Sequence, residues 1–479
     1  HLGPMPVSAA YRPDPRFPAL GEEFADPVAA ADFPKTILRY RNNRAAAGVG
    51  LDSLSDEEWI AHFGRFAPLP DNIDPPLAQR YHGHQFRVYN PELGDGRGFL
   101  FAQLREAGTD RLLDLGTKGS GKTPWSRTAD GRLTLKGGVR EVLATAMLEA
   151  LGVPTSRTFS LVETGENLVR GDEPSPTRSS VLVRLSHSHI RFGTFQRHAF
   201  FQRADRIQAL TDHVVETYYP ELSDAADKGA ALLGAVVARM ARLTARWMAA
   251  GFVHGVLNTD NMSLTGESFD YGPYRFLPRS DPAFTAAYFD QTGLYAFGRQ
   301  PEAVFWNLQQ LAGCLTLIGE TEPLVAALNA FGPAYRRELS AALLARLGLT
   351  PNDEDTDFAL SQALLKGMAA AGDRVRWEPV FFDWFCGSTH RALAGPRGEV
   401  YGEAPFVEFR RLLADYTPDR PERLTHPMFG KAEPEELLYD EIEAIWEPIA
   451  ADDDWSEFEA KLARIEAVRL GWGLPAQGT

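Results

Sequence analysis

Near residue 200 this 479-residue chain changes its apolar period. Before that point, Phe99 to Leu104, Arg111 to Leu115 and Ser180 to Leu185 are short apolar or β-branched runs bounded by Gly, Asp or Pro, which predicts strands and turns. One helix interrupts them, over Val139 to Leu151, with helical spacing and a stop at Gly152. From Asp205 onward the spacing is helical, over Gln208 to Tyr218, Ala230 to Ala250, Ala303 to Leu317, Leu324 to Leu347 and Thr356 to Ala371. A sheet hides alternate positions and a helix hides a stripe, so the chain is predicted to be α+β. A small β-rich unit stands beside a larger α-rich one, with the cleft between them as the expected ligand site. Residues 1–80, rich in Pro, Asp and Ala with one helix at Ser55 to Phe63, read as an N-terminal arm. Residues 81–190 read as the β-rich lobe, 191–400 as the helical lobe and 401–479 as a helical extension with helices at Pro434 to Trp446 and Trp455 to Leu470.

Composition narrows the function. The longest apolar stretch, Gly229 to Gly251, carries Arg239, Arg242 and Arg246, which suits a half-buried helix and excludes a membrane span. No secretion signal is read near the N-terminus, and His1 to Pro4, ahead of Met5, look like an expression scar. Cys314 and Cys386 are too few for a disulfide framework and lie in apolar contexts, as buried thiols do. A net charge of -15 argues against a nucleic-acid partner. Of 49 Lys and Arg only eight are Lys, yet Lys118, Lys122 and Lys136 fall in one short stretch, where a point charge is wanted.

Gly116 to Thr123 matches the phosphate-binding pattern GxxxxGK[ST] at every fixed position and follows a predicted strand. That mechanism needs a helix beginning at the Gly-Lys-Thr, so that its N-terminus faces the phosphates. Trp125 to Gly131 has no helical stripe and ends in a turn signal, so the match is expected to mislead.

Four other features follow one another as a kinase-like fold requires. Leu93-Gly94-Asp95-Gly96-Arg97-Gly98 is a Gly-rich turn before a strand, which also fits an ordinary hairpin. Lys118 at a strand end would place an ammonium on phosphate oxygens, and Glu141 in the following helix would pair with it; each alone also reads as a surface charge. Asp260-Asn261 followed by Phe269-Asp270-Tyr271-Gly272 supplies oxygen ligands for a hard cation, or an Asn/Asp turn and a buried Asp.

Together with His84-Gln85-Phe86, Thr123 to Arg127, Asp130-Gly131-Arg132, Arg140-Glu141 and the block His254 to Pro273, these strings resemble the selenoprotein O family from about residue 30 to 320. The resemblance implies a two-lobed protein-kinase-like fold that binds ATP flipped and transfers AMP to Ser, Thr or Tyr hydroxyls of protein substrates, releasing pyrophosphate. It implies Lys118 and Glu141 as an ion pair, Asn261 and Asp270 as ligands of Mg²⁺ or Mn²⁺, and Asp260 as the base. It further implies that Gly94, Gly96, Arg97, Asp130 and Gly131 contact nucleotide, with Arg184 and Arg191 on the γ-phosphate. Arg184 would otherwise be an odd charge in the apolar run Val181 to Leu185.

Two departures stand out. The family's Ala-Gly-His-Gln-Phe-Gly is His82-Gly83-His84-Gln85-Phe86-Arg87 here, adding a cation near the lobe boundary. Many relatives carry a cysteine or selenocysteine close to the C-terminus, whereas the last one here is Cys386, so control through a terminal thiol is not expected. A conventional kinase, a UMP transferase, an ATP-binding scaffold and a metallohydrolase built on His82, His84, His187, His189, His254 and Asp290 are the alternatives. Trp306, Trp377, Trp384, Trp446 and Trp472 read as core. Arginine and alanine usage points to a GC-rich bacterium, hence to the cytoplasm; the enzyme is expected to be a monomer.

Overall fold

The structure, a computed structural model, describes residues 8–475, so His1 to Pro4 lie outside the described residues. The strands are β1 (Ala25–Pro27), β2 (Ile37–Arg41), β3 (Leu77–Gln79), β4 (Gly83–Gln85), β5 (Val88–Asn90) and β6 (Leu100–Arg105). They continue with β7 (Leu112–Lys118), β8 (Leu133–Thr134), β9 (Arg157–Leu168), β10 (Thr177–Ser186), β11 (Phe252–Val253) and β12 (Arg275–Phe276). Eight of them form one antiparallel sheet in the order β1-β3-β6-β7-β10-β9-β2, with β8 paired to β10. Hairpin β4–β5 and the pair β11–β12 stand apart. The chain after Phe192 is mainly helical, so the architecture is α+β, antiparallel sheet first and helices after.

Local chemistry explains most boundaries. Ser55 and Glu58 cap the helix Asp56–Phe63 reciprocally, at 2.8 and 3.1 Å. The helix predicted from Val139 begins earlier, as Leu135–Ala150, because Thr134 Oγ1 accepts from the Gly137 amide at 3.0 Å. Gly138 is not a breaker there; a Cβ would come within 2.5 Å of Leu161 Cδ1 on β9, so the glycine lets helix and sheet close. The single helix expected over Leu324 to Leu347 is two, Thr321–Asn329 and Phe331–Arg346, because Pro333 excludes the carbonyl of Asn329. The tail helix expected from Pro434 runs Tyr439–Asp452 instead. β9, the longest strand, was not anticipated: its polar Ser160, Glu163 and Thr164 are buried beside Leu161 and Val162, which hides the alternation.

Two cores hold the sheet. One face packs on Leu135–Ala150 and the helical part. The other is covered by residues before 81, where fully buried Trp59 stacks on Phe159 at 4.9 Å and Phe63 meets both. Trp377, Trp384 and Trp472 are core as expected, whereas Trp306 and Trp446 are only half-buried. Cys314 and Cys386 are buried free thiols. The tail returns to the sheet, Arg178 donating to the Ile449 carbonyl at 2.7 Å and pairing with Asp453 at 2.7 Å. No helix among the described residues is long and apolar enough to cross a membrane.

Candidate active site

A cleft of about 800 Å³ opens between the sheet and the helical part. It is lined by eleven of the twelve residues singled out above: Gly94, Gly96, Arg97, Lys118, Asp130, Gly131, Arg184, Arg191, Asp260, Asn261 and Asp270. Glu141 stands behind the wall, its Oε1 2.7 Å from Lys118 Nζ at the end of β7. Across the cleft the 3-10 turn Thr259–Asn261 and the following loop bring in Asp260, Asn261 and Asp270. Asp270 has a left-handed backbone, φ +62, which Asp tolerates better than most side chains. Its carboxylate takes Arg184 on one oxygen; the other takes Arg191 at 3.1 Å and the Asn261 amide at 3.2 Å.

The Gly-rich turn is held close by a residue that sequence reasoning passed over. A Cβ on Gly94 would sit 2.5 Å from Trp125 Cγ, and Trp125 is anchored through Nε1 to Asp26 Oδ2 at 2.9 Å. Gly131, φ +71, likewise has no room for a side chain: its Cβ would lie 2.3 Å from the Gly121 carbonyl oxygen. Asp130 accepts Arg170 at 2.7 and 3.1 Å, a partner the sequence did not suggest. No helix starts at Gly121-Lys122-Thr123; Lys122 is exposed and the next helix is Leu135–Ala150, so the phosphate-loop pattern is coincidental.

The chain matches the family described as "Protein adenylyltransferase SelO" over residues 7–386. It belongs to the SelO family. Relatives named protein nucleotidyltransferase YdiU include one from Synechococcus elongatus, 45% identical over 473 residues and covering 94% of each chain. One from Synechocystis is 44% identical, over 95% of this chain and 98% of its own. Another from Pseudomonas entomophila is 40% identical, over 75% and 73%. This SelO chain is therefore an enzyme, a nucleotidyltransferase.

Charge in the SelO cleft is unevenly balanced. Burial works to raise the Asp270 carboxyl, but Arg184, Arg191 and Lys118 together hold it well below the usual carboxylate range. Burial pushes the Asp260 carboxyl up to about 7, against the pull of Arg191. Burial also draws the Lys118 ammonium down, with Glu141 opposing. Asp260 Oδ1 and Asn261 Oδ1 are buried with no hydrogen-bond partner. With the Asp270 carboxylate they form an all-oxygen set, which suits a hard divalent cation. Among the described residues no group of three His, Cys, Asp or Glu could hold a metal by itself, so a cation here would share its shell with substrate oxygens. Four of the five histidines of the metallohydrolase alternative are otherwise engaged: His82 with the Tyr89 hydroxyl, His84 with Gln196, His254 with the Phe269 carbonyl and His189 with Asp114.

His189 positions Arg184. The Arg184 Nε–H lies 3.3 Å from His189 Nε2, which must accept, so the ring proton is on Nδ1, facing Asp114 Oδ2 at 3.3 Å. Burial favours this neutral ring. Gly116, paired with Arg184 across β7 and β10, makes room, since a Cβ there would lie 2.4 Å from the imidazole. His189→Ala is expected to raise the KM for the nucleotide substrate about 10-fold, the loss of one hydrogen bond to a charged group, with a smaller change in kcat. His189→Gln, which can accept from Arg184 and donate to Asp114, should restore most of it; steady-state kinetics at varied nucleotide concentration checks both.

Proposed function

We propose that this SelO chain transfers AMP from ATP to Ser, Thr or Tyr hydroxyls of protein substrates within a two-lobed, kinase-like cleft, with ATP bound flipped so that its α-phosphate faces the acceptor. The observation that carries this reading is the placement of Arg184 and Arg191. Both are buried, on the cleft wall, and both pair with Asp270, while Arg191 also lies 3.5 Å from Asp95. Two guanidiniums converging on one point of the wall offer planar donors by which a γ-phosphate can be gripped while the bond at the α-phosphate breaks.

Asn261 and Asp270 would hold Mg²⁺ or Mn²⁺, which neutralises charge developing between the phosphates when bound. Lys118, its rotamer fixed by Glu141, presents an ammonium to phosphate oxygens, and the turn Gly94 to Gly98 brings bare backbone to the nucleotide. The acceptor oxygen forms a bond to the α-phosphorus as the bond to the β-phosphate oxygen breaks and pyrophosphate leaves. Asp260 receives the hydroxyl proton, a task suited to a carboxylate whose proton affinity burial has raised. Besides ATP, the partners of this reading are proteins that bear acceptor hydroxyls, and the enzyme acts as a monomer.

Incubation with ATP labelled separately at the α- and γ-phosphates, with Mg²⁺ or Mn²⁺, tests this reading. Protein-bound α-label with γ-label released in pyrophosphate is expected. Protein-bound γ-label would make the chain a kinase, and tight ATP binding without incorporation would make it a scaffold. An arm with α-labelled UTP decides the base, because the relatives' names specify only nucleotidyl transfer.

A further inference from the structure

Hairpin β4–β5 turns on two residues, Phe86 and Arg87, since Gln85 pairs with Val88. Both have left-handed backbones, φ +49 and +63. A two-residue turn of this kind favours Gly and Asn, and side chains bearing a Cβ resist it. A tip that only had to reverse the chain would be better served by glycine, so what Phe86 and Arg87 hold in place matters.

The tip is fastened beside the candidate base. The His84 amide donates to Thr259 Oγ1 at 2.6 Å, and the Phe86 amide donates to Asn258 Oδ1 at 2.9 Å. Asn258 Oδ1 also accepts from the Tyr295 hydroxyl at 3.0 Å. Gly83 lies against Asp260, where a Cβ would be 2.7 Å from Oδ1, and Gln85 lines the cleft. The hairpin thus forms part of the cleft wall beside Asp260.

The outward side of the tip carries apolar surface and a loosely paired cation. The Phe86 ring packs on Phe289 at 5.6 Å, and Phe289 and its neighbour Tyr288 are 49% and 82% exposed. The Arg87 guanidinium lies over Trp306 at 5.1 Å, with Nη2 3.8 Å from Glu302. Glu302 is already gripped by Arg299 at 3.1 and 3.3 Å. Arg299 faces Asp290 as well, but Arg87 has only the 3.8 Å contact with the Glu302 that Arg299 holds more closely, so its guanidinium is loosely paired in a chain whose net charge is -15.

Resting on the transfer reading above, we propose that Arg87, Tyr288 and Phe289 form the acceptor-docking edge of the cleft. The edge fits a segment of another protein that carries an acidic side chain and an apolar one beside its acceptor hydroxyl. The cation at Arg87 offsets the repulsion such a segment would meet from a bound triphosphate, and the two exposed rings give the apolar side chain a seat.

The test uses the full chain and three fluorescent peptides that differ only in having Asp, Asn or Lys beside the acceptor position, each made with Ser and with Ala there. Binding of the Ala peptides, read by anisotropy, reports docking without chemistry; α-label transfer to the Ser peptides reports the reaction. The Asp peptide is expected to bind about 3- to 5-fold more tightly than the Lys peptide, the worth of one exposed charge pair. Arg87→Gly should abolish that ratio and Arg87→Glu invert it. Because Arg87→Gly also relieves the turn, its melting temperature should not fall, and ATP affinity should stay as it was. Phe289→Ala should weaken all three peptides alike. A ratio that is absent in the wild type, or unmoved by both Arg87 variants, overturns the docking edge even if label is transferred. A ratio that follows Arg87 sustains it even if no label is transferred, in which case the transfer reading is what fails.

Discussion

Asp270→Ala is expected, on the AMP-transfer reading proposed above, to lower that transfer by about 10²–10³-fold, the scale seen when one group stabilising developing phosphate or oxyanion charge is removed. The same substitution should increase affinity for ATP in the absence of divalent cation. Arg184 and Arg191 then lose the carboxylate they share, leaving Arg191 only its 3.5 Å contact with Asp95, and attract the phosphates more strongly. The split distinguishes a catalytic role from mere folding. Calorimetric titration of ATP into metal-free protein should show tighter binding, while α-label incorporation with Mg²⁺ all but disappears. Transfer that stays within a few-fold of wild type would mean that Asp270 does not act at the reacting phosphates.

For stability, Arg346→Met carries the largest expected loss. Arg346 is fully buried between the rings of Phe381 and Trp472, at 4.6 and 4.9 Å; it donates to the Ala249 carbonyl at 2.9 Å and pairs with Glu378. Removing the guanidinium strands a buried carboxylate, and breaking a buried pair in this way costs about 3–5 kcal/mol. Burial already raises the Glu378 carboxyl above its ordinary 4.5, with Arg346 opposing, so the variant raises it further. A carboxyl raised in the folded state favours folding below its unfolded pKa and loses that contribution as pH rises through the folded value. The deficit of Arg346→Met is therefore expected to be largest near pH 8 and to shrink toward pH 5. Denaturant unfolding at the two pH values checks this, and Arg346→Met combined with Glu378→Leu should recover most of the loss.

Much of the chain was legible because its signals are local. The capping pair Ser55 and Glu58, the Gly152 stop and the helical stripes after Asp205 depend on residues a few positions apart, which a sequence displays directly. The break before Phe331 was equally local, since Pro333 states it, and reading the stripe through it was the error. β9 failed for a different reason. Its polar residues are satisfied inside the fold, Ser160 Oγ accepting from Trp59 Nε1 at 3.0 Å and Glu163 pairing with Arg178 at 2.8 Å, so polarity did not mark the solvent face.

By itself the sequence determined the α+β order and the reason to distrust the Gly116 to Thr123 pattern, since each follows from residue type and short spacing; the full set of candidate cleft residues came from the resemblance of its motifs to the selenoprotein O family. Only the tertiary structure decided what those residues face. Lys118 meets Glu141, His189 reaches behind Arg184, Trp125 underlies Gly94, and the hairpin that carries Arg87 is fastened beside Asp260. These meetings depend on the register of β7 against β10 and on how sheet and helices close around the cleft. Contacts between residues tens of positions apart are selected by packing and by the pairing of buried polar groups, which no local period encodes.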